Sequence, residues 1–265
     1  MTIPIVLSIA GSDPSGGAGI QADLKALSAL GCYGATVLTA LTAQNTCGVR
    51  AIYELPPDFV AAQLEAVLSD LDVAAIKIGM LGPVGVVRAV ARGLESFSGP
   101  IVLDPVMVAK SGAALLQPDA VGALRDELLP RCHLLTPNLP EAAALLGVTE
   151  EVVRTDREGA CLRLQALGAR AVLLKGGHLQ GDTCEDLLWD GRQLLRLSGP
   201  RIATRATHGT GCTLSSAIAA WLAHGRPLEE AAALAKEYLT GAIRAADCLS
   251  VGNGQGPVHH FYALW

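Results

Sequence analysis

The chain predicts an α/β fold: a mostly parallel central sheet with helices on both faces, in one domain spanning residues 1–265. Three observations carry that expectation. Short runs of β-branched residues and leucine alternate with helix-length segments along most of the 265 residues, the pattern of parallel strands joined by crossover helices. The hydrophobic share is 51% while aromatics are only 4%, so the core must be aliphatic and alanine-rich, which suits helices packed closely on a sheet. No internal repeat, low-complexity tract or linker interrupts the alternation, which favours a single unit at this length.

Taken in order, strands are expected at 5–10 (IVLSIA), 35–40 (ATVLTA), 74–79 (AAIKIG), 101–104 (IVLD), 133–136 (HLLT) and 171–175 (AVLLK). Between them lie helical segments at 18–31, 56–71, 83–96, 118–130, 139–147 and 156–168. Residues 181–199 read as a hairpin with Asp190-Gly191 at its turn. Two long helices follow, at 212–224 and 228–248, separated by the HGRP turn.

Composition excludes several classes. The formal net charge is -5, with no dense Lys/Arg block, so a nucleic-acid partner is not expected. The seven cysteines are scattered and never spaced Cys-x-x-Cys, which argues against a disulfide framework or structural zinc and for a reducing, cytoplasmic location. The first residues, MTIPIVLSIAGSD, lack a basic leader and read as a strand. No apolar run is long enough for a membrane span.

Ligands of open α/β sheets collect beyond the carboxyl ends of the strands. The segments that follow the expected strands are GSDPSGGAG, LTAQN, GML, DPVM, TPN and KGGH. They concentrate Gly, Asp, Asn, Gln and Lys, so the polar chemistry gathers along one edge. GSDPSGGAGIQAD (11–23) lacks both G-x-G-x-x-G and the G-x-x-x-x-G-K-[ST] phosphate loop. It is either a capped connector or a loop closing over a small ligand, with Asp13 and Asp23 as acceptors. That loop and MVAKSG (107–112) are the candidate moving segments.

Asp104 in DPVM either caps a turn or engages Mg²⁺ through water, since that ion prefers oxygen donors and keeps part of its hydration shell. Asn138 and Glu141 in TPNLPEA have capping-box spacing, with Pro140 in the first turn; a glutamate fixed there can also support a hydrated ion. Lys175 in KGGH ends a strand, where it could neutralise polyphosphate. Finally, His208-Gly209-Thr210-Gly211-Cys212 opens a small-residue helix. Its unpaired N–H groups and positive dipole end suit phosphate, and two glycines permit close approach. A thiol there is expected to be drawn toward thiolate by the dipole, able to take a proton from a substrate hydroxyl. The remaining six cysteines read as small residues packing in the core.

Together, IAGSDPSGGAGIQADLK (9–25), TALTAQNT (39–46), KIGML (77–81), VLDPVMVAKSG (102–112), LLTPNLPEA (134–142), KGGHL (175–179) and THGTGCTLSSAIAA (207–220) resemble the ribokinase-like superfamily. Within it, the chain is similar to the hydroxymethylpyrimidine/phosphomethylpyrimidine kinases of thiamine biosynthesis. The resemblance runs along nearly the whole chain. It implies a homodimeric kinase that uses Mg-ATP to phosphorylate 4-amino-5-hydroxymethyl-2-methylpyrimidine and then its monophosphate. It further implies that Gly11, Ala18, Asp23, Gln44 and Met80 line the pyrimidine pocket. Asp104 and Glu141 would organise Mg²⁺, Lys175 and Asn138 would meet ATP phosphate, and Gly209, Thr210, Gly211 and Cys212 would form the anion hole and supply the base. An amide such as Gln44 offers both donor and acceptor to an aminopyrimidine edge. A pyridoxal kinase of the same fold is the alternative, and a non-catalytic pyrimidine-binding module is a third. One departure from the family pattern is Gln255, in GNGQGPV, where relatives often carry His.

Overall fold

The computed structural model describes residues 2–108, 112, 115–177 and 181–265. Residues 109–111 of the 107–112 loop, and His178 of KGGH, lie outside them. Among the described residues the strands are β1 (Ile5–Ser12), β2 (Tyr33–Asn45), β3 (Gly48–Glu54), β4 (Val73–Ile78), β5 (Ile101–Leu103), β6 (Leu134–Leu135), β7 (Val172–Leu174), β8 (Thr183–Trp189) and β9 (Leu194–Pro200). They form one sheet in the order β3-β2-β1-β4-β5-β6-β7-β8-β9. The six strands β2, β1, β4, β5, β6 and β7 run parallel, and antiparallel β3 and the β8–β9 hairpin extend the two edges.

Strand periodicity divides the core in two. Leu7, Ile76, Leu103, Leu135 and Leu174 face one side, with helices α2 (Pro57–Leu68), α3 (Val84–Gly93), α5 (Leu139–Leu146) and α7 (Arg157–Ala166) packed over them. Their neighbours Val6, Ala75, Val102, Leu134 and Leu173 face the other side, under α1 (Gly19–Ala29), α8 (Thr210–Ala223) and α9 (Leu228–Arg244). One-residue alternation thus feeds two cores from the same strands. Each fully buried Leu or Ile contributes about 1.5–3 kcal/mol. The second face is alanine-dense (Ala26, Ala217, Ala219, Ala220, Ala231, Ala232 and Ala235), which lets α8 lie close to the sheet.

The expected strands, helices and hairpin are present, with three differences. β3 was not anticipated, because five of its seven residues are exposed and no buried alternation marks it. A short α6 (Glu150–Thr155) follows α5. The helix expected at 118–130 begins as α4 (Pro118–Ala123), widens to a π-turn over Leu124–Leu128 and tightens to a 3₁₀ turn over Leu129–Arg131. Pro130 has no N–H to donate and its ring crowds the preceding turn, which a regular helix does not accommodate.

The strand order reverses at β1, whose parallel neighbours β2 and β4 lie on opposite sides. The crevice at such a switch point is the expected ligand position. The loops after β1, β4, β5, β6 and β7 all open there.

Candidate active site

The site is built around the start of α8. Gly209 caps it at φ +77, and a Cβ there would fall 1.8 Å from the Gly17 carbonyl oxygen. Only glycine meets both demands, and it joins the turn to the glycine-rich loop after β1. The first helical bond runs from the Thr213 N–H to the Gly209 carbonyl, 2.9 Å, so the Gly211 and Cys212 N–H groups precede the ladder. Gly211 sits against charged groups: a Cβ there would lie 3.3 Å from Asp104 Oδ2 and 3.4 Å from Lys175 Nζ.

Lys175 leaves β7 with its N–H bonded to the Pro137 carbonyl at 2.8 Å. The next residue is fixed as well, since the Gly176 N–H donates to buried Asp186 at 2.7 Å. Lys175 Nζ donates to Asp104 Oδ1 at 2.6 Å and stands 3.8 Å from Glu141 Oε2. Thr136 donates to the same Asp104 oxygen at 3.2 Å. The capping box is complete: the Asn138 N–H donates to Glu141 Oε2 and the Glu141 N–H to Asn138 Oδ1, both at 2.8 Å. Burial pushes the Glu141 carboxyl up to about 7; Lys175 opposes this and the Asp104 charge adds to it. Burial alone would lower the Lys175 value, but the charges of Asp104 and Glu141 outweigh it and raise it. The ammonium therefore stays charged between the two carboxyls.

Asp23 is placed differently from its expected contact with a pyrimidine. Its side chain and that of Lys77 are both 0% exposed. Its oxygens accept from Lys77 Nζ at 2.7 and 2.8 Å, from Ser8 at 2.6 Å and from Ser216 at 2.8 Å. With both oxygens engaged below the cleft floor, Asp23 acts as a buried counter-charge rather than a lining residue.

Cys212 is half-buried in the first turn of α8. The expectation of a lowered thiol value is corrected. Burial dominates and pushes it up to about 11; the Lys77 charge and a bond from Gly19 N–H pull it down, while Asp23 and Asp104 raise it further. The helix terminus alone does not offset the loss of water.

The other wall carries Gln44, Met80 and Gly11. A Cβ on Gly11 would meet Met80 Sδ at 2.9 Å, so the two are adjacent, and Thr39 Oγ1 holds the Met80 carbonyl at 2.6 Å. Asp13 organises the glycine-rich loop. Its Oδ1 accepts from the Ser15 N–H and hydroxyl, and its Oδ2 from the Ala18 N–H at 2.8 Å and His208 Nε2 at 2.7 Å. Burial would raise the Asp13 value, but the bonds from His208 and Ser15 outweigh it and hold the carboxyl near 2. Gln44 and His208 line a cavity of about 610 Å³ with Thr46, Arg205, Asn253 and Gln255. Gln255, the departure noted in the sequence, ties the C-terminal loop to the β2–β3 turn through its N–H and the Thr46 carbonyl, 3.0 Å. His260 is buried; burial lowers its value to about 4, and its Nε2 meets Thr213 Oγ1 at 3.0 Å.

Contacts thus link Gly11 to Met80, Ala18 to Asp13 and Gly209, Gln44 to His208, and Asp104, Lys175, Glu141, Asn138 and Gly211 to one another, with Cys212 next to Gly211 in α8, while Asp23 is fully buried. Sequence reasoning gave no role to Lys77 or His208. A single lysine inside the apolar strand AAIKIG was the available signal for the first. A histidine next to Gly-Thr-Gly was the signal for the second.

A mostly parallel sheet with a glycine-capped helix terminus aimed at a lysine–carboxylate cluster defines a phosphotransferase of the ribokinase-like fold. The profile of the family described as Phosphomethylpyrimidine kinase matches residues 13–259, and the chain belongs to that family. The hydroxymethylpyrimidine/phosphomethylpyrimidine kinase of Rhizobium meliloti is 56% identical over 264 residues, covering 98% of each chain. That of Salmonella typhimurium is 52% identical over 260 residues, again covering 98% of each. Among solved structures, an ADP complex of Bacillus subtilis pyridoxal kinase superposes with a TM-score of 0.90 at 37% identity, covering 99% of each chain.

Proposed function

We propose that this kinase transfers the terminal phosphoryl group of ATP to 4-amino-5-hydroxymethyl-2-methylpyrimidine and then phosphorylates the monophosphate to the diphosphate, a step toward thiamine diphosphate. The observation that carries this reading is the approach of Gly211 to Asp104 and Lys175 in a chain 56% identical to a kinase named for both pyrimidines. Identity to the pyridoxal kinase is 37%, which favours the pyrimidine reading over the pyridoxal one. A non-catalytic binder would have no use for a charged cluster at a helix N-terminus.

In this reading, the Gly209–Cys212 turn holds the transferring phosphoryl and Lys175 neutralises ATP phosphate. Asn138 has its oxygen committed to the cap and so contributes through its NH₂ group. Gln44 meets the aminopyrimidine edge, with Gly11, Ala18 and Met80 around the ring. Asp104 and Glu141 suit a hydrated magnesium ion: both are buried oxygen donors, and the Glu141 value is raised by burial first and by the Asp104 charge second, against the pull of Lys175. Mg²⁺ is commonly bound by one or two carboxylates plus water and phosphate oxygens. Among the described residues no group of three or more His, Cys, Asp or Glu gathers at this site or at any other. The ion's contribution when bound would be to neutralise phosphate charge.

Phosphoryl transfer through a loose transition state depends chiefly on positioning and electrostatics. Cys212 serves as base through its thiolate, a minor but strongly basic form at neutral pH that Lys77 and the Gly19 N–H favour. The reading includes a reducing cytosol, supported by seven free cysteines, and a homodimer, supported by exposed Leu41, Ile52, Tyr53 and Phe59 near the β2–β3 edge. No helix among the described residues is long and apolar enough to cross a membrane.

The test is a coupled ADP assay with purified protein, Mg-ATP and three acceptors. ADP formation with both the hydroxymethyl- and phosphomethylpyrimidine, and little with pyridoxal, is expected. Turnover with pyridoxal alone overturns the reading.

A further inference from the structure

The hydrogen-bond partners of Gln44 decide which way round its amide stands. His208 Nε2 lies 2.7 Å from Asp13 Oδ2 and 3.4 Å from the Gln44 amide atom placed as Nε2. A carboxylate at 2.7 Å requires a proton on that ring nitrogen, because two lone pairs at that distance repel. The bonds that hold Asp13 ionised make this requirement firm. With that hydrogen directed at the carboxylate, the nitrogen keeps no lone pair to accept from an amide NH₂, so the end of Gln44 that faces the positive edge of the His208 N–H is the carbonyl.

The opposite end of the amide gives the same answer independently. Thr42 has one hydroxyl hydrogen and two candidate acceptors: the Ser12 carbonyl at 2.9 Å and the Gln44 amide atom placed as Oε1 at 3.3 Å. The shorter bond takes the hydrogen, which leaves a Thr42 lone pair toward Gln44 and calls for the amide NH₂. The oxygen and nitrogen of a side-chain amide are assigned from such networks, and both contacts call for the Gln44 amide turned over from Nε2 toward His208 and Oε1 toward Thr42, so that the carbonyl faces His208 and the NH₂ faces Thr42.

We infer that His208 and Thr42 are positioning residues that fix the polarity of the Gln44 amide, so that the site selects a 4-amino pyrimidine edge over its 4-oxo counterpart. This rests on the proposed function, in which Gln44 meets that edge. A fixed carbonyl accepts from the ring's amino group, and a fixed NH₂ donates to the adjacent ring nitrogen. The 4-oxo analogue carries the opposite order, an acceptor beside an N–H. Matching it requires turning the amide over, which sets NH₂ against the His208 N–H and the carbonyl against the Thr42 lone pair. The ring cannot turn over instead without swinging its hydroxymethyl arm away from the α8 turn.

The experiment compares kcat/KM for the 4-amino substrate and its 4-oxo analogue in the intact enzyme. A two-point polar match is worth about 1–3 kcal/mol, so the unmodified enzyme is expected to prefer the amino compound by roughly 10–100-fold. His208→Phe removes the N–H and Thr42→Val removes the hydroxyl. Each is expected to bring the ratio several-fold closer to unity while KM for ATP stays unchanged. Thr42→Ser, which retains the hydroxyl, is expected to keep the ratio. A general loss of structure lowers both substrates together and leaves the ratio in place. The inference is overturned if the ratio survives His208→Phe or, should that variant not fold, Thr42→Val; a ratio near unity in the unmodified enzyme overturns it as well. Enzyme that phosphorylates neither compound overturns the proposed function itself, and the inference with it.

Discussion

Two lysine–carboxylate clusters sit at neighbouring levels of this molecule and are put to different use. Lys77 and Asp23 are sealed at 0% exposure, with both carboxylate oxygens committed to Lys77, Ser8 and Ser216. Lys175 is 14% exposed, touches Asp104 and approaches Glu141, and leaves the Glu141 carboxyl pushed up to about 7. The first cluster is closed and internally balanced, so its energy goes into holding α1, α8 and β4 in register. The second is open and carries a charge imbalance that an incoming phosphate and its cation can resolve. In the proposed reading, the same pair of residue types is mainly structural where its bonding is complete and meets the substrate where it is not.

That contrast is sharpest in substitutions. Lys77→Met strands the Asp23 charge in the core, and the expected loss is about 3–5 kcal/mol of folding stability, read from chemical denaturation; Asp23→Asn in the same chain should restore part of it. Lys175→Met also removes the cation from buried Asp104, but it is expected to cost less stability than Lys77→Met, because the site is partly open to water and Glu141 can take up a proton. It should instead lower kcat/KM by roughly 10²–10³, the range for losing one preorganised charge donor. If Lys77→Met leaves stability intact, the closed–open distinction fails.

Cys212→Ala is expected to slow phosphorylation of the alcohol by about 10²-fold and of the monophosphate by far less, since a phosphate oxygen is already ionised. Separate assays of the two steps test this, and equal losses count against the base role. The smallest effect concerns Asp13, whose charge ties the glycine-rich loop to His208. Its value is depressed from 3.8 to about 2, so its stabilisation is present above pH 3.8 and disappears as pH falls through about 2. Relative to Asp13→Asn, it is expected to amount to roughly 2 kcal/mol at neutral pH and to shrink in acid. A difference that does not depend on pH contradicts the assignment.

The parallel strands were legible because a two-residue period feeds both cores, as with Val102 and Leu103. The Asn138–Glu141 cap was legible because its partners are three residues apart. Asp23 was misplaced because Ser8, Lys77 and Ser216 are 15, 54 and 193 residues away, beyond any local pattern. β3 was missed because its exposed flap carries no burial signal and its turn, Thr46-Cys47, lacks the Asn-Gly or Asp-Gly dipeptide that marks hairpins. For Cys212 the helix terminus could be read from sequence, but the burial that outweighs it could not.

The most direct test of the account is Gly211→Ala. A methyl group there intrudes 3.3 Å from Asp104 Oδ2 and 3.4 Å from Lys175 Nζ, in the space assigned to the transferring phosphoryl, while alanine suits the helix. We expect kcat for ADP formation to fall at least about 10²-fold with folding stability unchanged or slightly raised. Full activity in a normally folded Gly211→Ala enzyme would contradict the account.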